Sequence, residues 1–194
     1  GDSASNVSGS LFSSSGEVLG FPGSLADQVA PGGRAILSAN DFEDALGADT
    51  WEGPALFEIE NGKNFALMTK LTSPSGLISN TNCARETEVH NIEGSDSSSM
   101  TYVRFVNQGS SSIGNITGNL YDRSGRPIGA QNKILIEFLG PKEQIWINRS
   151  KLERLFESTW TAEATLKVAA ENVQELRLLN LNLINNETFF NFSC

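Results

Sequence analysis

The chain is poor in the side chains that most catalytic sites need. Its 194 residues include one histidine, His90, and two cysteines, Cys83 and Cys194. Any Ser-His-Asp or Cys-His site would have to use His90, and no G-x-S-x-G, H-E-x-x-H or G-x-x-x-x-G-K-[ST] stretch is present. No catalytic residue is assigned, no cofactor is expected, and the chain reads as a protein that is not an enzyme. Cations are scarce as well: 14 Lys and Arg face 23 Asp and Glu, for a net charge of −9. A phosphate-binding surface needs concentrated Lys and Arg, so nucleic acid and anionic lipid are poor partners. The densest basic stretch, Lys142, Arg149, Lys151 and Arg154, is small. No apolar run approaches the roughly 18–20 residues that span a bilayer as a helix, so membrane insertion is not expected. The opening GDSASNVSGS has no Met and no charged-then-apolar leader, and reads as a mature or trimmed chain.

What the chain does have is repetition. NVSGSLFSSSGEVLG (6–20) and NITGNLYDRSGRPIG (115–129) share Asn6/Asn115, Gly9/Gly118, Leu11/Leu120, Ser15/Ser124, Gly16/Gly125 and Gly20/Gly129, each pair 109 positions apart. Trp51 and Trp160 keep that spacing, and Cys83 and Cys194 are 111 apart. Self-similarity over this length marks a repeated structural unit. The second copy is preceded by TYVRFVNQGSSSIG (101–114), which supplies a first strand that the first copy lacks. ETEVHNI (86–92) is a segment able to fill that gap. If nothing fills it, the first copy has an open sheet edge through which two copies of the chain could pair.

YVRFVN and ITGNLY alternate with period two, KILIEFL, EQIWIN and EATLKV read as further short strands, and turn signals such as DRSG and GPK come every ~8–12 residues. That spacing predicts an all-β protein of two tandem immunoglobulin-like or Greek-key sandwich modules. Each includes one short helical turn, NDFEDAL (40–46) and SKLERLF (150–156), the second capped by Ser150. The expected division is module 1 over 1–84, a linker over 85–100 that contributes a strand or none, and module 2 over 101–194.

Arg104 and Asn107 in VRFVN, Asp122 and Gly125 in the hairpin, Trp51 and Trp160, and Ser73, Pro74, Gly76, Ser79 and Asn80 in SPSGLISN together resemble a β-sandwich repeat of bacterial secreted and surface proteins, often appended to peptidases or surface domains. The resemblance implies an accessory module in a secreted, periplasmic or cell-surface protein. It brings no catalytic residue. The second copy departs from it, with NLINNETFFNF in place of the Ser-Pro-x-Gly turn. In such a compartment two cysteines suggest a Cys83–Cys194 disulfide. A two-fold relation between the copies would let them meet. Head-to-tail stacking would hold them a module length apart, beyond the ~7 Å Cα limit.

Other candidate sites are sparse. Glu86, Glu88 and His90 fall on one face of a strand, as a weak metal site would require; a solvated charged edge is the plainer reading. NDFEDALGAD (40–49) is acidic but lacks the D-x-D-x-D-G spacing of a calcium loop. Trp51 and Trp160 read as core residues. Trp146, with no aromatic partner in the first copy, is the better exposed platform, with Arg149 nearby. The leading expectation is an adhesion, display or scaffold module with an unidentified protein or glycan partner. The alternative is a carbohydrate- or calcium-binding sandwich.

Overall fold

The computed structural model describes residues 4–60, 67–76, 78–80 and 84–193. About half the chain is strand, in antiparallel sheets, with two short α-helices among the described residues. The protein is all-β. It divides into two compact units, Gly1–Leu67 and Met68–Cys194.

Unit 1 holds β1 (Ser5–Phe12), β2 (Val18–Val29), α1 (Ala39–Leu46) and β3 (Leu56–Ile59), in one sheet of order β2-β1-β3. Apolar side chains alternate along β1, so Val7 and Leu11 are buried. Ser38 caps α1: its Oγ accepts from Asp41 N, and the Asp41 carboxylate accepts from Ser38 N at 2.6 Å. Leu46 at the helix end is buried, and Phe42 meets Phe57 of β3 edge-on at 5.0 Å. Among the described residues this unit is one sheet and a helix rather than two facing sheets.

Unit 2 begins with the hairpin β4 (Lys70–Thr72) and β5 (Ile78–Asn80). It continues with β6 (Glu88–Glu93), β7 (Met100–Asn107), β8 (Ile113–Asp122), β9 (Pro127–Leu139), β10 (Gln144–Asn148), α2 (Arg149–Phe156), β11 (Glu163–Ala169), β12 (Leu176–Ile184) and β13 (Thr188–Asn191). Two four-stranded sheets, β10-β7-β12-β13 and β6-β11-β8-β9, share one core. Val103, Phe105, Ile147, Leu176 and Leu178 come from the first, and Val89, Ile92, Ile116, Leu120, Leu139 and Leu166 from the second. Trp160 closes the core, with Nε1 donating to Ile92 O at 3.2 Å.

The segment 85–100 is part of unit 2. ETEVHNI supplies β6, which pairs with β11, and not the missing strand of the first copy. The Ser-rich stretch after it is an ordered turn: Ser97 and Ser99 hydroxyls both donate to Glu93 Oε2, and Asp96 Oδ1 accepts from Ala162 N. The cap of α2 also differs from expectation. Asn148, not Ser150, receives Lys151 N on its Oδ1 at 2.9 Å, so the helix starts one residue earlier.

The two repeated stretches take matching registers. Leu11 pairs with Leu19 and Phe57, and Leu120 with Ile128 and Leu166. The β4–β5 and β12–β13 hairpins match too: Lys70 with Asn80 and Thr72 with Ile78, Leu181 with Asn191 and Leu183 with Phe189. The β8–β9 turn is held by Asp122, whose Oδ1 accepts from Ser124 N at 2.8 Å and Arg126 N at 3.0 Å. In the β1–β2 turn Ser13 Oγ does the same for Ser15 N and Glu17 N. The Ser124 hydroxyl, and after it the turn amides, lower the Asp122 pKa from 3.8 to about 2. A depressed carboxylate stabilises the folded turn above its unfolded pKa and loses that contribution as pH falls through the folded one. Backbone amide shifts of 122–126 should therefore move between about pH 4 and pH 2.

Candidate binding face

Glu86, Glu88 and His90 are not gathered into a ligand set. Glu86 lies 4.0 Å from Arg177, while Glu88 lies 3.6 Å from His90 and 3.8 Å from Lys167. Among the described residues no group of three His, Cys, Asp or Glu could hold a metal ion. His90 Nδ1 also meets Thr165 Oγ1 at 3.1 Å, which places a hydroxyl, an imidazole and a carboxylate in a row. The row lies on the exposed surface of paired strands. A nucleophile there would also need free donors for an oxyanion.

The acidic 40–49 stretch is spent on α1 and its cap, and the Ser38 hydrogen bonds hold the Asp41 pKa below its usual range. Arg149 Nη1 donates to Gly94 O and, at 3.3 Å, to Ser99 O, so it pins the β6–β7 turn to the start of α2 and is not paired with Trp146. Cys83 and Cys194 lie outside the described residues.

Trp146 sits on the outer face of the β10-β7-β12-β13 sheet. The ladder sets Trp146 opposite Arg104, and Arg104 opposite Leu179; Tyr102 faces Leu181, and Phe189 faces Leu183. Directly opposed residues share a face, so all of these side chains lie on the side away from the core. Three rings close on one another edge-to-face. Tyr102 is 6.0 Å from Trp146 and 5.5 Å from Phe189, and Trp146 is 5.4 Å from Phe189. Leu179 and Leu181 are buried although they stand outside the core cluster.

The Arg104 guanidinium lies 5.6 Å from the centre of the Trp146 ring. Its Nη2 donates to Gln144 Oε1, its one polar partner among the described residues. Burial brings the Arg104 pKa down from 12.5 to about 10, so it remains a cation at neutral pH. Arg104 Nε and Trp146 Nε1 are both buried with no hydrogen-bond partner among the described residues. Two orphaned donors and a desolvated cation beside three aromatic rings form a surface suited to an acceptor-bearing ligand with an apolar side.

No family model matches the chain. No curated protein and no solved structure matches it either.

Sequence singled out Trp146 but missed its neighbours. Tyr102 and Arg104 come from β7 and Phe189 from β13, and strand pairing alone brings them to β10. The usable signal was alternation in YVRFVN, where Tyr102 and Arg104 share the face opposite Val103 and Phe105.

Proposed function

We propose that the protein is a non-enzymatic interaction module of a bacterial envelope or secreted protein, built from two copies of one immunoglobulin-like unit. Its role is adhesion, surface display or the holding of a partner domain. The matching registers of the repeated stretches support common ancestry of the copies, and the VRFVN and SPSG resemblance supports export. The recognition surface is the outer face of the β10-β7-β12-β13 sheet.

Arg104 carries this reading. Burying a charge costs stability unless it is paired, and its Nε has no partner among the described residues. A cation held under that penalty beside a second orphaned donor fits a site completed by a ligand's oxygen atoms. The Tyr102, Trp146 and Phe189 rings favour a glycan as the second reading, because aromatic groups offer sugars an apolar surface. Calcium gains no support from the described residues.

The test is an array of neutral and uronate-bearing oligosaccharides, followed by titration of any hit against Arg104→Met and Trp146→Ala. Each variant should bind at least about tenfold more weakly, or about 1.4 kcal/mol. Arg104→Met should fold with unchanged or higher thermal stability, since it removes a desolvated charge. Equal binding by both variants would rule out this face.

A further inference from the structure

The outer face of the β10-β7-β12-β13 sheet holds a positive charge that the described residues do not balance. Arg104 gives one N–H to Gln144 Oε1, an acceptor without charge. The ion pairs among the described residues all involve other cations. Burial is the one cause that lowers the Arg104 pKa, with no carboxylate nearby to offset it. The ladder sets Arg104 between Trp146 on β10 and Leu179 on β12. Its nearest neighbours on this face are thus an aromatic ring and a buried alkyl group, and neither neutralises it.

The orphaned donors narrow the chemistry of what would complete the site. Arg104 Nε and Trp146 Nε1 each lack an acceptor among the described residues. Two donors call for two oxygen atoms, and an unbalanced guanidinium calls for negative charge. A carboxylate supplies both in one planar group. A neutral hydroxyl or amide oxygen would satisfy a donor and leave the charge unbalanced. A phosphate or sulfate brings more oxygen atoms than one guanidinium N–H and one indole N–H can serve.

The rings indicate what carries the carboxylate. Tyr102, Trp146 and Phe189 are each half-buried, so part of their apolar surface stays open beside a cation 5.6 Å from the Trp146 ring centre. In a uronic acid the carboxyl is bonded directly to a sugar ring, whose axial C–H groups form an apolar face. One sugar residue then offers the charge and the apolar surface together. The carboxylate of Asp or Glu ends a narrow, flexible stem that has no such face. Net charge does not oppose an acidic glycan here: residues 68–194 hold 12 Lys and Arg against 13 Asp and Glu, and the acidic excess lies in residues 1–67.

We propose that the ligand of this face is a uronic-acid residue of an acidic polysaccharide. Its carboxylate accepts from Arg104 Nε and Trp146 Nε1, and its C–H face lies on the rings of Tyr102, Trp146 and Phe189. The inference rests on reading the outer face as the recognition surface, and adds that recognition depends on the ligand's charge.

The probes are an oligogalacturonate, an oligoglucuronate, and the same two oligomers with each carboxyl reduced to a neutral hydroxymethyl group. Each is titrated into the isotope-labelled full chain, and the indole N–H signals of the three tryptophans are followed by NMR. At least one uronate should shift the Trp146 signal and saturate. The Trp160 signal should stay in place, because its N–H is already bonded to Ile92 O. Carboxyl reduction should weaken binding at least about tenfold, and added salt should weaken the uronate alone. Arg104→Lys keeps the charge but loses the Nε donor and the planar fork, and should also weaken uronate binding about tenfold. The undisturbed Trp160 signal reports that this variant is folded. Equal binding of the reduced oligomers, with Trp146 still shifted, would overturn the carboxylate inference and leave the face as a recognition surface for neutral glycans. No shift of Trp146 with any of the four probes would overturn the inference and the glycan reading together.

Discussion

Asn107→Leu is expected to cost unit 2 about 3–5 kcal/mol, out of proportion to a change of one polar side chain of similar size. Asn107 is fully buried at the end of β7. Its Nδ2 is placed to donate to Ser111 O at 2.8 Å, Gly140 O at 2.8 Å and Leu139 O at 3.2 Å, and its Oδ1 accepts from Gly109 N at 2.9 Å. One side chain thus holds the β7–β8 loop and the end of β9 together. Leucine fills the volume and satisfies none of these groups, and each buried group left alone costs about 1–3 kcal/mol. Urea unfolding followed by tryptophan fluorescence should show a lower midpoint at an unchanged slope. A loss below about 1 kcal/mol would mean that water replaces the amide.

Gly129→Val should be comparably damaging, with a loss of at least about 3 kcal/mol. Gly129 has a φ of +63°, and a Cβ there would stand 2.1 Å from Phe156 O, in the backbone at the end of α2. The left-handed conformation alone costs an L-residue about 1–2 kcal/mol. Relieving the clash must also move β9 from the helix that buries Leu152 and Phe156. The equivalent glycine in unit 1, Gly20, has a φ of +73° and would put a Cβ 2.3 Å from Leu46 O. Calorimetry of both valine variants should therefore show a loss in each. Tolerance at Gly129 would mean that the β9–α2 contact adjusts freely.

The strands and their hairpins could be read from local pattern, because alternation and turn chemistry act over a few residues. Asp122 and Gly125 announced the β8–β9 turn, and Trp160 went to the core, whereas Trp51 at the repeated position is only half-buried. Partnership across the chain could not be read in this way. ETEVHNI has the composition of an edge strand, but nothing local says that it pairs with β11, 70 or so residues on. Asn180 ties the two sheets at this edge, donating to His90 O at 2.7 Å and Asn91 O at 2.9 Å, and an asparagine in an apolar strand gives no hint of its acceptor. The Arg104 site was hidden for the same reason. A charged residue in an alternating strand reads as solvent-facing until the rings of Trp146 and Phe189 are placed beside Tyr102.

The matching registers also show where the chain can change length. Leu19 and Ile128 hold equivalent pairings 109 positions apart, but Gly23 and Lys133, opposite Gly9 and Gly118, are 110 apart. The extra residue falls on β9 between Ile128 and Lys133, where the ladder opposite Gly118–Leu120 is already irregular. Beside it, Asn119 and Asn132 clamp the backbone, with Asn132 N donating to Asn119 Oδ1 at 2.6 Å. In a regular ladder one added residue would turn every later side chain of that strand to the wrong face. At a bulge the addition is absorbed locally. Ile136 and Leu139 still point into the core, and the helix that follows still begins on its cap. The bulge works as an expansion joint: growth of the backbone there leaves the faces of the sheet unchanged.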